Sequence, residues 1–136
     1  MARYMAFGTY PEPLAAAVIG AIDFHEKVGA VRKADRIRFL TRYWREQVER
    51  LPGVRFYTTS DPGHSCGLGV FEIAGIDSHA MRNHLRDRHG IIVRTMQEEA
   101  RVPEIRGVRV AAGLYTSTSD LDRFGAAIKQ VSQRGV

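Results

Sequence analysis

Val108-Arg109-Val110-Ala111-Ala112-Gly113-Leu114-Tyr115-Thr116-Ser117-Thr118-Ser119-Asp120-Leu121-Asp122 is the stretch on which the reading of this chain turns. Its first part, within Gly107 to Ala112, alternates small and apolar residues around one arginine and reads as a strand. Ser117 and Asp120 have the three-residue spacing of a capping box, in which each side chain bonds the other's backbone amide. Leu121, Phe124, Ile128 and Val131 then recur at helical steps. A strand, a polar turn and a capped amphipathic helix therefore follow one another within thirty residues.

Working back from that stretch, Met96 to Arg106 is polar and irregular, and Ile91 to Thr95 reads as a short β-branched strand. Asp77 is a good N-cap for a helix with Met81 and Leu85 on its apolar side and Gly90 at its end. Leu68 to Ala74 reads as a strand, and Val54, Phe56 and Thr58 alternate as in another. Ser60-Asp61-Pro62-Gly63 between them is a turn cluster. Ile37, Leu40, Trp44, Val48 and Leu51 give one apolar stripe along a helix from Val31 to Leu51, which Pro52 and Gly53 stop. Pro11 and Pro13 open an earlier helix that carries Leu14, Val18, Ile22 and His25 and runs to Gly29. The order helix, long helix, strand, strand, helix, strand, strand, helix predicts an α+β arrangement. Its sheet is small and mixed or antiparallel, with helices on one side and two N-terminal helices before it.

Composition narrows the function. The 136 residues suit one compact domain, and 44% hydrophobic with 26% charged residues is ordinary for a globular protein. The net charge of +5 raises the question of nucleic acid. The basic residues are spread out, however, and the densest stretch, Arg36 to Arg50, includes Glu46 and Glu49, so it reads as a solvated helix face. No nucleic-acid partner is expected. No apolar run nears the roughly 18 residues of a membrane span, and no signal peptide is evident, so a cytoplasmic setting and no membrane partner are expected.

Chemistry-bearing residues are few. The five histidines, His25, His64, His79, His84 and His89, form no metal spacing with cysteine, so no metal is expected. The lone Cys66 enters a strand and reads as a buried structural thiol. The glycines around it lack the lysine of a phosphate-binding loop. Arg109, among small and apolar neighbours, needs an anion or a set of carbonyls if it is buried. A planar guanidinium grips a carboxylate through two parallel hydrogen bonds, and an internal salt bridge meets the same need.

Read as a whole, the run from Arg109 through Tyr115, Ser117 and Asp120 resembles the arginine, tyrosine-asparagine-threonine and acidic run near the end of class V aminotransferase-fold enzymes. That group includes cysteine desulfurases and isopenicillin N epimerase-like proteins. Phe7-Gly8-Thr9 resembles the family's glycine-threonine motif, and Gly90-Ile91-Ile92-Val93-Arg94-Thr95 its strand leading to the active-site loop. The resemblance covers almost the whole chain. It implies the C-terminal small domain of the type I fold of pyridoxal-phosphate enzymes. Residues 1–29 would be a lead-in segment and helix from the large-domain boundary, and residues 30–136 the small domain. It also implies that Arg109 binds the substrate α-carboxylate, with Arg94 supporting it. Thr9, with Gly8, would contact the cofactor phosphate across a dimer interface.

The chain also departs from the family pattern at several positions. The loop after Thr95 reads Met96-Gln97-Glu98-Glu99, without the catalytic cysteine of one desulfurase branch. Ala111 stands where the family has serine, and Thr116 where it has asparagine. The family's Schiff-base lysine belongs to the large domain, and Lys27, Lys33 and Lys129 all fall on helices outside any matching context. The resemblance thus implies an epimerase, transaminase or lyase acting on an amino acid in the intact enzyme. Pyridoxal phosphate would be its cofactor, and a large domain or a second copy its partner. This chain alone is expected to hold no catalytic residue, to bind no cofactor and to be inactive. The alternative is a non-catalytic interaction or oligomerisation module derived from the same fold.

Overall fold

A computed structural model describes residues 12–96 and 104–136. Eight elements follow in chain order: α1 (Glu12–Val28), α2 (Ala30–Val48), β1 (Val54–Phe56), β2 (Leu68–Ile73), α3 (Ser78–His89), β3 (Arg94–Thr95), β4 (Val108–Ala111) and α4 (Thr118–Arg134). This is the order that the sequence predicts. The chain divides into two compact units, Met1–Lys33 and Ala34–Val136. In the first, α1 presents Leu14, Val18, Ile19, Ile22 and Phe24 as exposed side chains.

The second unit is a four-stranded sheet in the order β1-β2-β4-β3, with every pairing antiparallel. Successive side chains of a strand point to opposite faces. Phe71, Ile73, Val108 and Val110 point to the side that also buries Leu40, Trp44 and Val48 of α2, Met81 and Leu85 of α3, and Leu121, Phe124, Ile128 and Val131 of α4. The helices therefore cover one face, as expected. Trp44 is the hub: its ring centroid lies 5.7 Å from Phe56, 5.9 Å from Phe71 and 5.7 Å from Phe124. Such aromatic pairs add about 0.5–1.5 kcal/mol each beyond the area they bury.

The local signals held where they rest on neighbouring residues. Asp77 accepts from the amides of His79 and Ala80 at the start of α3. Gly90 ends α3 at φ 66°, a conformation that glycine adopts without a Cβ penalty. Ser117 and Asp120 form the capping box of α4.

Four local expectations need correction. The helix expected to reach Leu51 ends at Val48, because Pro52 cannot continue it and disfavours helical geometry in the residue before it. The strand expected over residues 91–95 is paired only at Arg94 and Thr95. There the Ile91 amide bonds back to the Leu85 carbonyl, which ties the first residues to the end of α3 instead of to β4. Cys66 is exposed, because the chain reaches the sheet only at Leu68. The arginines of α2 are not all solvated. Arg36 donates to the Thr116 carbonyl at 3.1 Å, and Arg45 donates to the Thr58 carbonyl at 2.9 Å while lying over the Phe56 ring.

Candidate functional site

The sheet face opposite α2, α3 and α4 carries Arg94 and Arg109, two of the residues that sequence reasoning singled out. Arg109 of β4 pairs with Val70 of β2 on one side and with Arg94 of β3 on the other. Residues in register on adjacent antiparallel strands share a face, so the two arginines stand side by side. Val70 is buried beneath this row but is no member of the helix-side core. Arg109 is half-buried, and its guanidinium makes no hydrogen bond or ion pair among the described residues. Arg94 is exposed and engages other groups.

The carboxylate nearest in the sheet pattern is already committed. Glu72 receives Arg55 Nε at 2.8 Å and the Tyr57 hydroxyl at 2.6 Å. Arg55 Nη2 donates to the same hydroxyl at 2.7 Å, and its guanidinium lies 4.7 Å from the Tyr57 ring centroid. The hydroxyl of Tyr57 and the negative charge of Glu72 hold Arg55 above its ordinary pKa. This trio is self-neutralising. Sequence reading missed it, although the alternation Arg55, Tyr57 and the position of Glu72 in β2 carry the signal.

The segment after β4 is held by its own contacts. The Gly113 amide donates to Thr116 Oγ1 at 3.0 Å, and the Thr116 amide donates to the Gly113 carbonyl at 3.0 Å. Arg36 then pins the Thr116 carbonyl to α2. Thr116 thus closes the turn. Tyr115 projects from that turn and is 85% exposed. At the head of α4 the Ser117 hydroxyl lies 2.6 Å from Asp120 Oδ2, and the Ser117 amide donates to the same oxygen at 3.1 Å. These two bonds lower the Asp120 pKa below the ordinary carboxylate value.

Gly8 and Thr9 lie outside the described residues, as do residues 97–99 of the loop after β3. Cys66 lines a cleft of about 570 Å³ with Arg38, Arg42 and Ser65, and Arg109 is not among its lining residues. Among the described residues, no group of three or more histidine, cysteine, aspartate or glutamate side chains is placed to hold a metal ion. No described helix is long and apolar enough to cross a membrane.

Pyridoxal phosphate needs an amine with which to form an imine. Lys27 lies on α1, Lys33 in the first turn of α2, and Lys129 is exposed on α4. No lysine stands on a strand beside Arg109, so the described residues do not by themselves make a site for that cofactor. Arg109 stands half-buried on the sheet face opposite α2, α3 and α4.

The family model described as aminotransferase class-V matches residues 2–124. Isopenicillin N epimerase of Amycolatopsis lactamdurans is 30% identical over 118 residues, which cover 86% of this chain and 29% of that protein. A cysteine desulfurase from Thermococcus onnurineus NA1 superposes with a TM-score of 0.81 at 22% identity, over 94% of this chain and 33% of its own. The C-DES protein, in a lysine-to-alanine variant with glycine covalently linked to the PLP cofactor, superposes with a TM-score of 0.72 at 20% identity. That match covers 90% of this chain and 30% of C-DES. The chain thus spans about a third or less of the length of these relatives.

Proposed function

Since the chain belongs to the class-V aminotransferase family, we propose that it is the substrate-gripping C-terminal domain of a pyridoxal-phosphate enzyme that acts on an amino acid. The isopenicillin N epimerase-like branch fits best, on the strength of the relative that is 30% identical over 118 residues. The observation that carries this reading is Arg109. Arg109 is half-buried on the sheet face opposite α2, α3 and α4, without a counter-charge among the described residues, while Glu72 is taken by Arg55 and Tyr57. A fork so placed binds a carboxylate bidentately and fixes the orientation of the amino acid that bears it. Arg94 adds positive potential beside it. Gly8 and Thr9 would face the cofactor phosphate in the assembled enzyme, which is a homodimer completed by a lysine-bearing domain. The reaction is epimerisation, amino transfer or elimination.

The placement of the three lysines adds a consequence: the chain alone forms no stable imine with the cofactor and turns over no amino acid. Two measurements test the proposal. Borohydride reduction of the chain mixed with pyridoxal phosphate should yield no adduct at a single lysine, and a specific adduct would overturn this part. Titration with a simple carboxylate, followed by NMR, should move the amides of residues 108–110 in the wild type and not in Arg109→Gln. Equal shifts in both proteins would sink the role given to Arg109.

The exposed apolar side chains of α1 favour a second reading, a non-catalytic interaction module. Leu14 and Ile19 are 68% and 64% exposed, and apolar surface of this kind recruits partners or self-associates. Light scattering decides: concentration-dependent association supports the module, and a clean monomer at high concentration counts against it.

A further inference from the structure

We infer that the amino acid gripped by Arg109 carries an uncharged, aliphatic side chain, and that Leu68 is the specificity-determining residue that receives it. The inference rests on the reading of Arg109 as a carboxylate fork and names the substrate class of that same site.

Strand register places the parts. Val70 of β2 is the direct Cα partner of Arg109, and Leu68, two positions earlier, is the partner of Ala111. Side chains two apart on a strand share a face, so Leu68, Val70, Arg109 and Ala111 form one contiguous patch. Diagonal neighbours in such a ladder stand about 7–8 Å apart, a reach that a short alkyl chain spans. Leu68 is 52% exposed although it is a large aliphatic residue, whereas Val70 is 7% exposed. On the β1 side Tyr57 lies opposite Val70, its amide donating to the Val70 carbonyl at 2.9 Å. A hollow of about 440 Å³ lies there, and Tyr57, His64, Cys66 and Leu68 are among the residues that line it. A carboxylate on Arg109 thus has aliphatic surface beside it and room beyond.

The charges in that direction are already paired. His64 Nδ1 lies 2.8 Å from Asp61 Oδ2, and Glu72 is bonded to Arg55 and Tyr57. Arg94, on the other flank of Arg109, has a partner of its own. A second ionic group on the ligand would lose water there without gaining a counter-ion, which is costly. Methylenes laid against Leu68 gain by leaving water.

The experiment titrates the chain itself with acetate, butyrate, hexanoate and glutarate at matched ionic strength and follows the amides of residues 66–70 and 108–110 by NMR. Every acid should move residues 108–110, and only the longer ones residues 66–70. Affinity should rise about two- to fourfold for each methylene that lies on Leu68. Glutarate, with its distal charge, should bind more weakly than hexanoate. In Leu68→Ser, a change at an exposed position, the gain with chain length should vanish while acetate binds as before. Equal affinity of acetate and hexanoate, glutarate binding as tightly as hexanoate, or an undiminished gain in Leu68→Ser overturns the inference and leaves the carboxylate reading standing. If no acid moves residues 108–110, both fall. The wild-type series alone can refute the inference, so it does not depend on how the variant folds.

Discussion

The indole of Trp44 lies directly against the Cα of Gly69, leaving no space for a Cβ at that position. The close approach lets the largest side chain of α2 reach the sheet and touch Phe56, Phe71 and Phe124 together. Gly69→Ala would push the ring off its seat, and overpacking of this kind costs about 1–3 kcal/mol. Urea unfolding should show a lower midpoint at unchanged slope. A midpoint equal to that of the wild type would show that the ring has room to move.

The α4 cap gives a prediction in two parts. Ser117→Ala removes the hydroxyl that accepts from the Asp120 amide at 3.1 Å, and loss of such a cap costs about 1 kcal/mol. Asp120 gives the pH dependence. Its folded pKa is depressed by the Ser117 hydroxyl and amide, so its contribution is fully present above the unfolded value of about 3.9. The contribution is lost as pH falls through the depressed folded value. The stability gap between wild type and Asp120→Asn should therefore close on acidification, as read from urea midpoints across that range. A gap that persists at the lowest pH would refute the assignment.

Arg45 serves the core although it lies on a charged helix. Its guanidinium is 4.0 Å from the Phe56 ring centroid and it donates to the Thr58 carbonyl. Lysine keeps the charge but not the planar stacking surface. Arg45→Lys should lower stability by about 0.5–2 kcal/mol, seen as a reduced Tm. Arg42→Lys, on the exposed side of the same helix, should change Tm far less.

Arg109 should behave in the opposite way. Its side chain makes no hydrogen bond or ion pair among the described residues and stands beside a like charge. Arg109→Gln should leave stability within about 0.5 kcal/mol of the wild type, or raise it, while removing carboxylate binding. A large loss of stability in this variant would mark Arg109 as a structural residue.

The outcomes along the chain follow the range of the forces involved. The Asp77 cap, the glycine stop at Gly90 and the Ser117–Asp120 box are each made by residues within a few positions of one another, and all three were legible. The apolar stripes of α2 and α4 were equally plain, because helical periodicity requires no knowledge of the partner. Cys66 was misjudged because burial depends on where the chain joins the sheet, and that is settled by pairing with β4 across about forty residues. Arg36 and Arg45 looked like solvated charges for the same reason: their acceptors, the carbonyls of Thr116 and Thr58, lie elsewhere in the sequence.

By itself, then, the sequence determined the eight elements, their order and the apolar faces that must meet, since propensity, capping and periodicity are short-range properties of the chain. It also carried the motif around Arg109 that relates the chain to its family. Only the tertiary structure decided that Arg94 faces Arg109 across one ladder, that Glu72 is spent on Arg55 and Tyr57, and that both arginines occupy the side of the sheet opposite α2, α3 and α4. Strand register sets these relations, and register is fixed by long-range hydrogen bonding and by which face the helices bury.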